Sequence, residues 1–244
     1  MESDLRRSES PTPATLLRGN ATRLAHRARG LLVAVSAGMA VLTSSVQAVD
    51  VDRILKSVQR YGPPAEANVK ALRQAMVGVA GKDDLAKLQT INDFYNQHVA
   101  YAEDIDNWGQ TDYWASPLEM LGKGAGDCED YVIGKYFTLT SLGVPDAKLR
   151  LVYVRASIPG APNGYIAHMV LAYYSTPDAD PLVLDILQAM IRPASQRPDL
   201  QPVFSFNAEG LWQGVGGTRA QGDPLTRLSK WREALTRARQ EGFH

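Results

Sequence analysis

The hydrophobic period of this 244-residue chain changes near residue 145, and this change restricts the fold more than any other feature of the sequence. From Val51 to about His98, apolar residues recur at helical spacing, with a break at Gly62-Pro63-Pro64. After Pro145, β-branched and aromatic runs are separated by turn-forming residues, as expected for antiparallel strands. Helices followed by a meander of strands predict an α+β domain.

Individual elements can also be predicted from the pattern. Helices are expected from Val51 to the Gly62 break, over Ala65–Val79, Asp83–His98 and Val132–Leu142, and from Asp223-Pro224 to about Arg239. Strands are expected over Leu149–Val154, Ala167–Tyr174, Leu182–Ile186, Pro202–Asn207 and Leu211–Gln213. The stretch from Tyr101 to Gly126 has no clear period and is expected to be irregular.

The N-terminal 48 residues have the composition of a secretory leader. Residues 31–43 are apolar and uncharged, three arginines precede them within 23–29, and Ser-Ser-Val-Gln-Ala follows at 44–48. A basic flank, a short apolar run and small residues at the cleavage site describe a signal peptide, here with an extended basic region. We therefore expect a signal peptide at 1–48, a domain at 49–244 and export to the periplasm. The alternative is an uncleaved anchor, but the apolar run is shorter than the roughly 20 residues that a spanning helix needs.

Composition excludes several classes of protein. Cys128 is the only cysteine, so neither an intrachain disulfide nor a thiolate metal cluster can form. Without the leader, the chain has 20 basic and 23 acidic residues, which does not favour binding to nucleic acid.

The surroundings of the single cysteine favour a reactive thiol. The run Gly124-Ala-Gly126-Asp127-Cys128 stands directly before a predicted helix, so Cys128 is expected in its first turn. A helix N-terminus and a neighbouring histidine both lower the pKa of a thiol, and the free N–H groups can form part of an oxyanion hole.

Two later residues are candidate partners for this thiol. His168 lies at the start of one predicted strand and Asp185 lies inside the next, so the carboxylate can hold the far nitrogen of the ring. Each residue also has an ordinary explanation, as a small buried hydrophobe, a structural histidine or a turn aspartate. Their common order, with a glycine-rich turn before the cysteine, favours a Cys–His–Asp site.

These motifs resemble those of a known family. The segments Asp127-Cys-Glu-Asp-Tyr131, Ala167-His-Met-Val-Leu171 and Leu182-Val-Leu-Asp185 are similar to those of the bacterial transglutaminase-like cysteine proteinases of the LapG type. The resemblance extends from about Val51 to Trp212. It implies a papain/transglutaminase-like fold, with the catalytic cysteine on a helix N-terminus packed against an antiparallel sheet, and a triad of Cys128, His168 and Asp185.

The resemblance also implies a cellular role and a cofactor. Members of this family are periplasmic proteases that cut the N-terminal region of a large surface adhesin, which releases the adhesin and disperses the biofilm. They depend on Ca²⁺, and an inner-membrane receptor for cyclic di-GMP sequesters them. By matching, Asp127, Glu129 and Asp130 are the candidate calcium ligands, and hard carboxylate oxygens suit this cation. The same acids could instead cap the helix.

Two alternatives remain open from the sequence. The same three residues could form or deamidate amide bonds, as transglutaminases do. The chain could also be an inactive exported binding module that keeps the fold.

Overall fold

The computed structural model describes residues 51–161, 163–215 and 223–243, so the expected leader lies outside the described residues. Within these ranges the protein is a set of helices packed on one face of an antiparallel sheet, which confirms the predicted α+β class. The helices are α1 (Val51–Val58), α2 (Pro63–Val79), α3 (Asp84–His98), α4 (Asp104–Trp108), α5 (Pro117–Lys123), α6 (Cys128–Ser141), α7 (Pro224–Arg227) and α8 (Ser229–Glu241). The strands are β1 (Ala100–Tyr101), β2 (Ala125–Gly126), β3 (Leu149–Ser157), β4 (Tyr165–Tyr173), β5 (Leu182–Leu184), β6 (Arg192–Pro193), β7 (Leu200–Phe206) and β8 (Leu211–Gln213).

The main sheet has six strands in the order β6-β5-β4-β3-β7-β8, and neighbouring strands are antiparallel. Strand β4 lies inside the sheet, where His168 faces Val154 of β3 across the ladder. On its other side β4 pairs with β5, with Leu171 opposite Leu184. The residue after β5 is Asp185, so the register brings this carboxylate towards the part of β4 that carries His168.

Alternate residues of β4 face two apolar layers, as the two-residue period of a strand requires. Met169 and Leu171 belong to the main core between the sheet and the helices. Val170 and Ala172 belong to a smaller cluster with Val154 of β3. The sheet is therefore covered on both faces at the strand that carries His168.

Helix α6 is the centre of the helical layer. Every residue from Asp130 to Leu139 is buried, and the helix packs on α3, α5 and β4. At Gly134 an added Cβ would lie only 2.6 Å from the ring of Tyr95, whose hydroxyl pairs with Thr138 at 3.0 Å. Glycine at this position lets α3 and α6 approach closely.

The sequence predicted the long elements and the short strands β5 and β8, but it missed α4, α5, β1, β2 and β6. Helix α2 begins two residues earlier than predicted, at Pro63, because proline suits the first turn of a helix. The final helix is divided at Leu228 into α7 and α8. The expectation that 101–126 is irregular was wrong, since α4, α5 and β2 form there. Ser116 caps α5 in a reciprocal capping box with Glu119, with Pro117 at the first position, and this Ser-x-x-Glu signal is visible in the sequence.

Among the described residues, no helix is long and apolar enough to cross a membrane.

The close approach at Gly134 can be tested by adding a single methyl group. The variant Gly134→Ala should lower the free energy of unfolding by about 1–3 kcal/mol, because the methyl overlaps the rigid and buried Tyr95 ring. Gly78→Ala in α2 is the matched control, since nothing lies within 4 Å of its added Cβ. That control should be neutral or gain up to about 1 kcal/mol through helix propensity. Urea unfolding measures both, and equal stability of the two variants would contradict the packing argument.

Candidate active site

The first turn of α6 carries the cysteine singled out by the sequence. Asp127 is the N-cap, and its side chain accepts a hydrogen bond from the N–H of Asp130 at 3.4 Å. Cys128 is the first helical residue and is half-buried. The expectation that this thiol begins a helix is confirmed. The first N–H groups of a helix have no intrahelical acceptor and are available to a developing negative charge.

The turn before α6 depends on two glycines for different reasons. Gly124 ends α5 with φ at 68°, in the left-handed region that favours glycine. Gly126 lies in β2, where an added Cβ would come within 2.8 Å of the Asp130 side chain. The chain therefore reverses at Gly124, and the absence of a side chain at Gly126 makes room for a buried carboxylate.

The Cys128 thiol lies among acids. Its Sγ donates to Oε2 of Glu129 at 2.7 Å. Burial raises the pKa of the Cys128 thiol, and the charges of Glu129 and Asp127 raise it further, while the backbone N–H of Met169 donates to the sulfur and opposes this rise. The Met169 contact joins the start of α6 to β4, next to His168.

His168 and Asp185 form a buried hydrogen-bonded pair. Nε2 of His168 lies 2.7 Å from Oδ1 of Asp185, and the side chains are 2% and 0% exposed. Because Asp185 occupies Nε2, Nδ1 is the ring nitrogen that remains for a proton from another group. The expectation that the two residues lie side by side is confirmed.

Arg197 completes the surroundings of Asp185 and was not predicted from the sequence. Its Nη2 lies 2.7 Å from Oδ2 of Asp185, and the backbone N–H of Leu187 donates to Oδ1 at 3.1 Å. Burial raises the pKa of Asp185, but the hydrogen bonds from His168 and Arg197 outweigh it and hold the pKa at about 2. The carboxylate is therefore ionised at neutral pH and can orient an imidazole.

Cys128 and His168 line one cavity of about 380 Å³. Most of its remaining wall is apolar, from Val99, Tyr101, Tyr131, Ile166, Ala167, Ile186 and Leu187. Tyr101 is 57% exposed and Leu187 48%, which leaves the cavity open to a large ligand. Among the described residues that line this cavity, none belongs to the aromatic stretch from Trp108 to Trp114. Trp114 packs in the core against Phe206, with the ring centroids 5.8 Å apart.

A second group of side chains lies beside the cysteine. Carboxylate oxygens of Asp104, Asp127 and Asp130 lie within 4.8 Å of one another, and all three residues are buried. Burial, together with repulsion among the neighbouring acids, raises the pKa of all three, to about 9 for Asp127 and about 8 for Asp130. Oδ1 of Asp104 and Oδ2 of Asp130 are buried and have no hydrogen-bond partner among the residues that the structure describes. Converging buried oxygens of this kind suit a hard divalent cation.

This acidic group differs in one member from the set inferred from the sequence. Asp127 and Asp130 belong to it, while Glu129 bonds the Cys128 sulfur and lies outside the three. Asp104 belongs to it and was missed, because it stands well before the cysteine in a stretch expected to be irregular. It begins α4, and the side chain of Asn107 in the same helix donates to the Ala125 carbonyl at 3.0 Å. That bond ties α4 to the strand before Cys128.

The fold and the helix-borne thiol define a class of protein. A cysteine at the N-terminus of a buried helix, on the wall of one cavity with a histidine from an antiparallel sheet, suits the chemistry of a cysteine proteinase. The family model of the bacterial transglutaminase-like cysteine proteinases (BTLCP) matches residues 63–199. The chain belongs to this family.

Solved structures of a relative agree with this assignment. Legionella pneumophila LapG is 39% identical, with a TM-score of 0.66, over 78% of this chain and 98% of the other. An EGTA-treated form of that protein is 38% identical with a TM-score of 0.68 over the same shares. A calcium-bound form is 38% identical with a TM-score of 0.66, over 77% of this chain and 98% of the other. No protein with a curated description matches the chain.

Replacing Arg197 tests the charge balance around Asp185. Arg197→Leu should lower the free energy of unfolding at pH 7 by about 3–5 kcal/mol, because it leaves a buried carboxylate with one cationic neighbour fewer. The pKa of Asp185 lies below its unfolded value, so this ion pair stabilises the protein above about pH 4 and is lost as the pH falls towards 2. The deficit of the variant should therefore shrink in acid.

Arg155→Leu is the matched control. Arg155 is exposed and stacks on Tyr165 at 4.8 Å, so its loss should cost less than about 1 kcal/mol. Urea unfolding at several pH values measures both variants. A deficit for Arg197→Leu that equals the control at pH 7, or that grows in acid, would contradict this description of Asp185.

Proposed function

We propose that this chain is a calcium-dependent cysteine endopeptidase in which Cys128 is the nucleophile, His168 the general base and Asp185 the residue that orients it. The observation that carries the proposal is the buried His168–Asp185 pair at 2.7 Å, with His168 and Cys128 on the wall of one open cavity. Membership of a cysteine proteinase family supports the same reaction.

The proposed reaction is acyl transfer in two steps. Nδ1 of His168 accepts the thiol proton, and the Cys128 sulfur adds to the carbonyl carbon of the scissile peptide. His168 then gives this proton to the leaving amine, and a thioester remains on Cys128. In the second step a water molecule, deprotonated by His168, adds to the thioester and releases the new carboxyl terminus and the thiol.

The surroundings provide the electrostatic contribution to the proposed reaction. The first N–H groups of α6 donate to the oxyanion that forms as the sulfur adds. Asp185 keeps Nε2 of His168 protonated and stabilises the imidazolium, as the orienting carboxylate does in other triads. Arg197 keeps this carboxylate ionised without taking the oxygen that bonds the ring.

Calcium is the cation that we propose for the acidic group. A structure of the LapG relative is calcium-bound and another is EGTA-treated. In this chain, Asp104, Asp127 and Asp130 would hold the ion, and the two unpartnered carboxylate oxygens fit that use. The resemblance adds Glu129 to the ligand set. The charge of Glu129 raises the pKa of Asp127, and Glu129 accepts the hydrogen bond of the neighbouring Cys128 thiol. When bound, the dication would offset the negative charge that opposes ionisation of Cys128.

The substrate that we propose is the N-terminal region of a large surface adhesin, whose cleavage releases the adhesin and promotes biofilm dispersal. The open and mostly apolar cavity supports an extended peptide as ligand. The leader at 1–48 supports a periplasmic location, and the resemblance supports sequestration by an inner-membrane receptor for cyclic di-GMP. Cell fractionation tests the location, and co-purification with the receptor in the presence and absence of cyclic di-GMP tests the partner.

Replacing the thiol tests the proposed reaction. Residues 49–244 should cut a recombinant N-terminal adhesin fragment into two products whose masses sum to the substrate plus one water. Cys128→Ala should abolish this cleavage while the unfolding transition stays, because the sulfur is the proposed nucleophile. Ser141→Ala at the other end of α6 is the control and should cleave as the wild type does, since the buried Ser141 hydroxyl has no hydrogen-bond partner in the described part of the chain.

Mass spectrometry of the same mixture separates the alternatives. A cross-linked product, or the small mass change of an amide converted to an acid, would replace the endopeptidase proposal with transglutaminase or deamidase chemistry. Cleavage that survives in Cys128→Ala would refute the assignment of the nucleophile. A wild type that alters no substrate would favour the inactive binding module.

Removing calcium should weaken both the fold and the activity. Adding calcium to about 100 times its dissociation constant should raise the melting temperature by about 5–10 °C, because the ion binds only the folded carboxylate group. EGTA should reverse the shift and stop cleavage.

The matched variants for this test lie on one short helix. Asp104→Asn should lose most of the calcium-dependent shift, because it removes one of the three converging carboxylates. Asp106→Asn should keep it, because Asp106 is exposed and lies outside the acidic group. An equal calcium response of the two variants, or none in the wild type, would contradict the proposed site.

A further inference from the structure

Helix α6 buries one lysine that the proposed mechanism does not use. Lys135 is 0% exposed and lies seven residues after Cys128, which places it two turns, about 10 Å, along the same helix. Burial lowers the pKa of Lys135 to about 7, although the charges of Asp185 and Asp93 act in the opposite direction. A buried amine is costly unless its hydrogens are bonded. The reason for a lysine here therefore lies in the groups that it contacts.

The hydrogen bonds of Lys135 go to two amides of α3. Its Nζ donates to Oδ1 of Asn92 at 2.9 Å and to Oδ1 of Asn96 at 2.8 Å. Among the described residues, no carboxylate lies within ion-pair distance of this Nζ. An amine with its hydrogens on Oδ1 decides which way each amide points, because an amide nitrogen cannot accept these bonds. Both Nδ2 groups consequently face away from Lys135.

These two Nδ2 groups hold the segment that follows β5. Asn96 donates to the backbone carbonyl of Asp185 at 3.0 Å, and Asn92 donates to that of Ala189 at 2.8 Å. Between these two carbonyls lies Leu187, whose side chain lines the cavity beside Cys128 and whose N–H bonds the Asp185 carboxylate. The two amides thus bracket residues 185–189, which carry both the orienting carboxylate and part of the cavity wall.

We propose that Lys135 is a positioning residue of the active site, which holds the two amides of α3 and through them both ends of the segment 185–189. The proposal rests on the proposed function, because Lys135 would maintain the position of Asp185 relative to His168. The same helix then carries the nucleophile at its first residue and the support of the orienting residue two turns later. A displacement of a catalytic group by about 1 Å can cost about 100-fold in rate, which makes such a support consequential.

The first test replaces Lys135 by an apolar residue of similar length. Lys135→Met should lower kcat for the adhesin fragment by about 10–100-fold, because both amides lose the donor that fixes them. The variant should stay folded, but its unfolding transition should shift to a lower urea concentration, because two amide oxygens lose their donor. Amide hydrogen exchange at residues 186–189 should become about tenfold faster, while exchange in β3 stays the same.

Variants of the two amides separate the ends of the segment. Asn96→Leu removes the hydrogen bond to the Asp185 carbonyl and should lower kcat as Lys135→Met does. Asn92→Leu removes the hydrogen bond to the Ala189 carbonyl. It should mainly raise KM, because Leu187 lines the cavity. The double variant of Lys135→Met and Asn96→Leu should be no worse than the more damaging single one, since the two residues act as one unit.

The control is Lys148→Met. Lys148 pairs with Asp84 at 2.8 Å, so the variant also removes a lysine contact to α3, yet its partner lies at the opposite end of that helix from Asn96. It should leave kcat and exchange at 186–189 unchanged.

Three results would overturn the proposal. They are a folded Lys135→Met variant with wild-type kcat, faster exchange spread evenly over α3 and α6, or additive losses in the double variant. If Lys135→Met does not fold, Asn96→Leu decides the matter by the same two measurements. If the wild type cleaves nothing, the proposed function fails, and the exchange measurement still decides whether Lys135 holds the segment.

Discussion

The burial of α6 is the constraint on which the rest of the site depends. Each residue from Asp130 to Leu139 is enclosed, so the helix cannot shift without opening the core. Gly134 brings α6 against Tyr95 of α3, and the Tyr95 hydroxyl bonds Thr138 one turn later, which fixes the helix along its axis. The first turn is therefore held in place by packing, and Cys128 reaches β4 from a rigid element.

The same burial creates an electrostatic difficulty. The positive end of a helix favours a thiolate, but the sequence that caps this helix adds acids on both sides of the sulfur. Burial and the neighbouring charges raise the pKa of Asp127, Asp130 and Cys128 together. In the proposed enzyme, one bound dication would lower the pKa of all of these groups at once. The metal would therefore be needed for a reactive thiol as well as for stability.

The parts of the site that follow local rules could be predicted from the sequence. A glycine-rich turn before a helical run predicted the place of Cys128, and alternation in two neighbouring strands predicted that His168 meets Asp185. Asp104 and Arg197 reach the site through tertiary packing. They are separated in sequence from the residues that they contact, and no rule of sequence spacing predicts these contacts. Lys135 could have been singled out from the sequence, because it is a lone charge in an otherwise apolar run of a predicted helix. The structure buries this helix on all sides.

Asp185 is held in two independent ways, and each does what the other cannot. Arg197 acts on the side chain and keeps the carboxylate charged, but an ion pair alone leaves the backbone of an irregular segment free to move with it. Asn96 acts on the backbone carbonyl and fixes position without affecting the charge of the side chain. An imidazole needs both a charged acceptor and a stationary one, because a displaced carboxylate turns the ring away from the sulfur. The buried polar groups behind the cavity are each costly alone, but together they are what the proposed orienting residue requires, because it lies outside a regular strand.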